Sequence, residues 1–145
     1  MRICVSACLL GERVKYNGGD NLVPDLAARL RGHDVVPVCP EVAGGLSVPR
    51  PPAELVDGRV RTRDGADVDA AFRAGVSACV AALDLDGAGL DLAILQSRSP
   101  SCGVNAIYDG SFSGRLIPGR GLFAAELARR GVRVVDIEDL DTAGL

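Results

Sequence analysis

This 145-residue sequence has few aromatic residues, no excess of positive charge and only short apolar runs. Aromatics make up only 3% of the residues, so the core must be built from aliphatic side chains, which suits an α/β fold. The 16 lysines and arginines are outnumbered by 19 acidic residues, and the formal net charge is -3. Surfaces that bind nucleic acids usually carry a basic excess. We therefore expect a small-molecule ligand and no DNA or RNA polymer.

The N-terminal segment has one positive charge and only a few apolar residues before Gly11. Such a run is too short for the core of a signal peptide and far too short to span a bilayer. We therefore expect a cytoplasmic protein without membrane contact, in which thiols stay reduced. A chain of this length predicts one domain over residues 1–145. We expect it to be a monomer or a weak homodimer.

Short apolar segments alternate with helical patterns along most of the chain. The patterns predict strands at 2–6, 34–38, 90–95 and 132–137, and helices at 21–31, 67–85 and 119–130. The first helix would present Leu22, Leu26 and Leu30 on one stripe, and the last Leu122, Ala125 and Leu127. Residues 39–52 are predicted to form a loop, and residues 111–118 an irregular turn or a short strand pair.

This alternation predicts a small doubly wound, Rossmann-like fold, in which helices cover both faces of a mostly parallel sheet. Asp57-Gly58, between two apolar segments, predicts a short β-hairpin within residues 54–63. The hairpin would be an antiparallel appendage or a sheet edge.

Three of the five cysteines come at the ends of predicted strands. Cys8 lies two residues after the first strand, Cys39 closes the second, and Cys102 lies in the loop after the third. Ligands bind such sheets beyond the carboxyl ends of their strands, so we expect these three thiols to meet at one edge. Cys4, inside a strand, and Cys79, inside a helix, are expected to pack in the core.

The three converging thiols favour a metal or cluster site over a catalytic thiol or no role at all. The sequence contains no CxxC pair, and the single histidine, His33, precedes the second strand at its opposite end from Cys39. Three thiolates without a fourth protein ligand describe either an open catalytic zinc or a [4Fe–4S] cluster with one iron free of protein ligands. All-thiolate ligation leans towards the cluster, but the residues leave both open.

Three further side chains are expected at the same edge of the sheet. Glu41, two residues after Cys39, could act as a general acid or base, or could simply be a solvated loop acid or a helix cap. Ser99 and Ser101 flank Pro100 and could orient a substrate or only stabilise the turn.

Several motifs together resemble the DUF523 family, which includes the thiouracil desulfidases. The motifs are SACLLG (6–11), YNGG (16–19), PVCPEVAGGL (37–46), PRPPAE (49–54), RSPSCG (98–103) and IYDGSFSG (107–114). The resemblance covers nearly the whole chain, which looks like the short form of the family, expected to consist of this domain alone.

The resemblance implies a [4Fe–4S] cluster held by Cys8, Cys39 and Cys102. The iron without a protein ligand would act as a Lewis acid on the sulfur of a thiolated pyrimidine base or nucleoside, such as 2- or 4-thiouracil. The product would be the oxo base and sulfide, with no net redox change. Glu41 would be the acid or base, and Ser101 and Ser99 would orient the substrate. The alternatives are a non-catalytic module that carries a metal or sulfur, and a zinc hydrolase.

Overall fold

The computed structural model describes residues 1–145, and strands and helices alternate along most of this length. The strands are β1 (Arg2–Ser6), β2 (Asp34–Val38), β3 (Ala53–Val56), β4 (Arg59–Thr62), β5 (Leu92–Leu95), β6 (Ala106–Tyr108), β7 (Leu116–Pro118) and β8 (Val134–Asp136). The α-helices are α1 (Leu26–Arg29), α2 (Pro40–Ala43), α3 (Asp69–Leu83) and α4 (Leu122–Arg129). Short 3₁₀ segments cover Ala7–Leu10 and Ile137–Thr142.

The central sheet has four strands in the order β2-β1-β5-β8, and every neighbouring pair is parallel. In its register, Ile3 of β1 lies between Val35 of β2 and Leu92 of β5. All four residues of β5 are buried, as expected for a parallel strand that is covered on both faces. The α/β fold predicted from the sequence is confirmed.

Each face of the sheet has its own apolar core. The core on one face includes Cys4, Val76, Cys79, Leu83, Ala93, Phe123 and Leu127, and so joins the sheet to α3 and α4. The core on the other face includes Ile3, Val5, Leu26, Leu30, Ile94 and Val135, and so joins the sheet to α1. Strand β2 lies on one side of β1, whereas β5 and β8 lie on the other side. Right-handed crossovers in these two opposite directions place α1 on one face of the sheet and α3 and α4 on the other.

Two helices differ from their sequence-based predictions. The first was expected over residues 21–31, but α1 has only four residues because Pro24 restricts the backbone before it, and Leu22 is exposed. In α4 the expected inward residue Ala125 is exposed, whereas Phe123 and Ala124 are buried. Burying Phe123, the largest side chain of this helix, turns the helix away from the predicted stripe.

Two hairpins lie outside the sheet. The predicted hairpin is confirmed as β3 and β4, with Asp57 (φ 50°) and Gly58 (φ 80°) both left-handed, as a type I′ turn requires. The second hairpin pairs β6 with β7 and places Ile107 opposite Ile117. Helix α2 lies within the segment 39–52, which was wrongly predicted to be a loop throughout. None of the helices has the length and apolar character that crossing a bilayer requires.

Candidate active site

A cavity of about 490 Å³ opens at the carboxyl edge of the sheet. Its inner wall comes from the last residue of β1 and from the segments that follow β1, β2 and β5. It includes Ser6, Cys8, Cys39, Glu41, Gln96, Ser99, Ser101 and Cys102. Its outer wall comes from the hairpins and nearby loops, and includes Lys15, Tyr16, Arg50, Glu54, Arg63, Tyr108 and Phe112. The strand order reverses between β1 and β5, which is the position where open α/β sheets bind ligands.

Cys8 lies on the 3₁₀ segment that follows β1 directly. Gly11 ends this segment in the left-handed conformation (φ 94°) and donates its N–H to the carbonyl of Cys8. The side chain of Asn21 lies next to the thiol, with 3.5 Å between Nδ2 and the Cys8 Sγ atom. Partial burial raises the pKa of Cys8, and the hydrogen bond from Asn21 opposes that shift.

Cys39 lies at the end of β2, immediately before α2. The position of α2 is set by two glycines that let its backbone touch α3. A Cβ on Gly44 would lie 2.0 Å from the carbonyl oxygen of Ala71, and one on Gly75 would lie 1.7 Å from that of Pro40. No residue with a side chain fits at either glycine without moving a helix, so α3 fixes Cys39 and the residues after it.

Cys102 lies in a tight turn that is held from both sides. The hydroxyl oxygen of Ser99 accepts the backbone N–H groups of Ser101 (3.1 Å) and Cys102 (3.0 Å). On the other side, α4 donates its first N–H groups to this turn: Leu122 to the carbonyl of Pro100 (2.9 Å) and Phe123 to that of Ser101 (2.8 Å). The turn therefore satisfies the free N-terminal amides of α4, and α4 in return fixes the thiol.

The structure brings Cys8, Cys39 and Cys102 together around the one cavity. Burial raises the pKa of each thiol, most strongly for Cys102, and the charges of Glu41 and then Cys8 raise the pKa of Cys102 further. Thiols in such surroundings lose their protons when a bound metal cation takes the place of the protons. The three cysteines therefore suit a positively charged metal group.

The chemistry of these thiols bears on the two metal sites that the sequence leaves open. No group of three or more His, Cys, Asp or Glu side chains is placed to hold a single metal ion. Ligands that share one zinc all lie about 2.3 Å from it, whereas cysteines of a cluster bind different iron atoms and stand farther apart. Three soft thiolates, with no group of side chains formed around a single ion, therefore fit a [4Fe–4S] cluster better than the single zinc ion of a hydrolase.

Glu41, Ser101 and Ser99 form a chain of hydrogen bonds along the cavity wall. The Ser101 hydroxyl donates to Oε2 of Glu41 at 2.8 Å. Ser101 has a single hydroxyl proton, so the hydroxyl of Ser99, whose Oγ lies 2.9 Å away, must donate to it. Proton positions along the chain are therefore ordered, and they end at one oxygen of a carboxylate.

Arg50 is a residue of this site that the sequence does not single out. Its Nε donates to Oε1 of Glu41 at 3.0 Å, and its Nη2 donates to the carbonyl of Val14 at 2.8 Å. The side chains of Arg50 and Glu41 are only 7% and 15% exposed. The signal was present, since Arg50 is the second residue of the PRPPAE motif, but nothing local in that motif shows that it faces Glu41.

Cys4 and Cys79 lie in the core formed with α3 and α4, and neither lines the cavity. Burial raises the pKa of Cys4 to about 12 and that of Cys79 to about 11. Both thiols therefore stay protonated and act as small apolar side chains.

Comparison with known proteins shows the family to which this chain is similar. The model of a family described as 2-thiouracil desulfurase matches residues 3–139. The uncharacterised protein YbbK of Bacillus subtilis (strain 168) is 35% identical over an alignment 150 positions long, which covers 96% of this chain and 97% of YbbK. A solved structure of the [4Fe–4S]-dependent thiouracil desulfidase TudS superposes with a TM-score of 0.90 at 39% identity, covering 99% of this chain and 95% of that one.

Proposed function

Because this chain belongs to the 2-thiouracil desulfurase family, we propose that it is a desulfidase that converts a thiolated pyrimidine base or nucleoside to the oxo form. The reaction replaces the thiocarbonyl sulfur by the oxygen of water and releases sulfide, with no net change of oxidation state. The observation that carries this proposal is the meeting of three cysteines and a hydrogen-bonded carboxylate in one cavity.

Cys8, Cys39 and Cys102 are the residues that would hold a [4Fe–4S] cluster in this protein. When bound, the cluster supplies an iron atom without a protein ligand, which acts as a Lewis acid on the thiocarbonyl group. The proposal needs these thiols in the reduced state, which a reducing compartment such as the cytosol maintains.

Glu41 handles the proton of the attacking water. Its Oε1 atom is engaged by Arg50, whereas Oε2 accepts only the Ser101 hydroxyl and lies at the cavity wall. Oε2 is therefore the atom that takes a proton from water as it attacks the thiocarbonyl carbon, and that returns a proton to the leaving sulfur. The reaction then balances as thiocarbonyl plus water giving carbonyl plus hydrogen sulfide.

Ser101 and Ser99 keep Oε2 of Glu41 in place and orient the substrate. When Oε2 is protonated, the order of donors along the chain can reverse, because each hydroxyl can both donate and accept. Ser101 then donates to Ser99, and the hydroxyl proton of Ser99 is free to turn towards a ring nitrogen or towards the oxygen of the product. This second role explains why two hydroxyls, and not one, line the cavity beside the carboxylate.

Glu41→Gln tests the proposal. Wild type reconstituted anaerobically with iron and sulfide should release sulfide and uracil from 2- or 4-thiouracil. Glu41→Gln should bind the same amount of iron and lose turnover by about 10²–10⁴-fold, the usual size of general acid–base catalysis. Ser97→Ala, a change at a nearby cavity residue without a side-chain hydrogen bond, is the matched control. An iron-loaded wild type that releases no sulfide would contradict the proposal and would favour a carrier of metal or sulfur.

A further inference from the structure

The aromatic residues of this chain are divided between the core and the cavity. The chain has only five aromatic residues, and Phe72 and Phe123 are fully buried in the interior. The other three, Tyr16, Tyr108 and Phe112, all line the same cavity as the three thiols. In a sequence with so few aromatics, this concentration points to a ligand with a flat π-face.

Phe112 is unusual among them because of its backbone. Its φ angle is +56°, in the left-handed region, which a bulky side chain adopts only at a cost in free energy. Such strain persists only where the surrounding structure enforces it, and it is concentrated at ligand sites. The conformation of Phe112 therefore requires a structural cause.

Glu54 is that cause. This carboxylate is only 8% exposed, and its Oε1 atom accepts the backbone N–H of Gly110 at 3.0 Å and that of Phe112 at 3.2 Å. Gly110 packs against β3 so closely that a Cβ on it would lie 2.5 Å from the carbonyl oxygen of Leu55. Gly110 and Phe112, the two residues that Glu54 binds, thus tie the loop between β6 and β7 to the β3–β4 hairpin.

The guanidinium of Arg63 completes this wall of the cavity. Its Cζ atom lies 6.0 Å from the centroid of the Phe112 ring, over the ring, at the limit for a cation–π contact. Both side chains line the cavity. The guanidinium thus lies over one face of the ring, which leaves the opposite face as the surface for a planar heterocycle.

We propose that Phe112 is the stacking surface for the heteroaromatic ring of the substrate, and that Glu54 is the positioning residue that holds it in its strained conformation. The proposal rests on the function proposed above and adds a reason for substrate choice. The enzyme would select aromatic thiolated bases over thiocarbonyl compounds of the same size that lack a flat π-face.

The test compares two substrates with two variants. Base stacking on an aromatic side chain is worth enough that its loss should raise KM about tenfold, with kcat little changed. Phe112→Leu keeps the apolar bulk but removes the π-face, and Phe112→Tyr keeps both. We expect KM for 2-thiouracil to rise about tenfold in Phe112→Leu and to stay within about twofold of wild type in Phe112→Tyr.

The second substrate is 5,6-dihydro-2-thiouracil, which has the same thiocarbonyl but a puckered, non-aromatic ring. Wild type should prefer 2-thiouracil by KM, and Phe112→Leu should lose that preference, so that the two changes do not add. Equal KM shifts for both substrates in Phe112→Leu would show a general loss of packing and would overturn the proposal.

Glu54 is tested by a rescue. Glu54→Gln keeps an oxygen that can accept both backbone N–H groups, whereas Glu54→Leu does not. Glu54→Leu should raise KM as Phe112→Leu does, and Glu54→Gln should stay near wild type. A Glu54→Gln variant as impaired as Glu54→Leu would mean that the carboxylate charge itself acts on the substrate, and would refute the positioning role.

Binding of uracil to the iron-loaded protein, measured by calorimetry, separates this proposal from the proposed function. Uracil has the flat ring but no sulfur, so its affinity reports the stacking surface without turnover. Weaker uracil binding in Phe112→Leu supports the stacking surface even if wild type releases no sulfide. Sulfide release by wild type together with equal uracil affinity in both proteins would overturn the stacking surface alone.

Discussion

Among single residues, the surroundings of a cysteine distinguish its role better than its burial does. Cys102 and Cys79 are both buried, but only Cys102 lines the cavity, where Cys8 and Cys39 lie with it. Cys79 faces the apolar core from α3. Under the proposed function, the first thiol is a metal ligand and the second is packing.

Cys102→Ser should therefore abolish cluster binding, because a serine hydroxyl is a far poorer ligand for iron than a thiolate. Iron measured after anaerobic reconstitution should fall from about four atoms per chain to almost none. Cys79→Ser is the matched control, which should keep its iron and lose only stability. Equal iron content in the two variants would refute the assignment of the ligands.

Arg50 and Glu41 form a buried pair whose two halves depend on each other. Removing one partner leaves an uncompensated buried charge, so Arg50→Met should lower the free energy of unfolding by about 3 kcal/mol. Adding Glu41→Gln to Arg50→Met removes the stranded charge and should restore part of that loss. Denaturant unfolding of the two single variants and the double variant measures the coupling, and additive losses would show that the pair does not interact.

Individual strands and helices position these residues, and the sequence predicts some of these strands and helices better than others. Strand β2 has the predicted bounds, 34–38, and the Asp57-Gly58 turn forms the expected hairpin, because both signals are local. Helix α2 was missed because four residues are too few to show a helical period, and because its position depends on contact with α3. Tertiary contacts, which no local pattern contains, decide such elements.

Gly75→Ala tests how α3 positions α2. The new Cβ would lie 1.7 Å from the carbonyl oxygen of Pro40 and must push α2 away. We expect a loss of stability of about 1–3 kcal/mol, although alanine favours helices over glycine. Iron binding should weaken too, because Cys39 directly precedes α2. Ser77→Ala, on the exposed side of α3, is the control, and unchanged iron binding in Gly75→Ala would show that α2 is not held this way.

The end of α4 predicts a pH dependence of stability. Hydrogen bonds from Arg129 and Arg130 hold the pKa of Glu126 at about 2, below its ordinary value of 4.5. Because the pKa of Glu126 is lower in the folded state, its ionised carboxylate stabilises the fold at pH values above the ordinary pKa of 4.5. That contribution is lost as the pH falls through about 2.

Wild type should therefore be more stable than Glu126→Gln at pH 7, by about 0.5 kcal/mol for a surface ion pair. The difference should shrink below pH 4.5 and vanish near pH 2, as measured by thermal unfolding across this range. Glu12→Gln is the control, since Glu12 is exposed. A difference that persists unchanged at pH 2 would show that the ion pairs are not its source.

At the scale of the whole molecule, the topology of the sheet brings three cysteines that are far apart in sequence to one cavity. Parallel strands end at the same edge of the sheet, so the residues that follow β1, β2 and β5 meet there whatever their separation in sequence. This convergence could be predicted from strand order alone. The pairing of Arg50 with Glu41, and of Glu54 with the Phe112 loop, could not, because the path of a loop depends on contacts that only the folded chain makes.

Hydrolytic desulfurisation is tested by following the oxygen that replaces sulfur. Iron-loaded wild type is incubated anaerobically with 4-thiouracil in ¹⁸O-labelled water, without any reductant, and sulfide and uracil are measured together. We expect equal amounts of sulfide and uracil, with one labelled oxygen in each uracil formed by the enzyme. Uracil without the label, or turnover that requires an added reductant or oxidant, would contradict a hydrolytic, non-redox desulfidase.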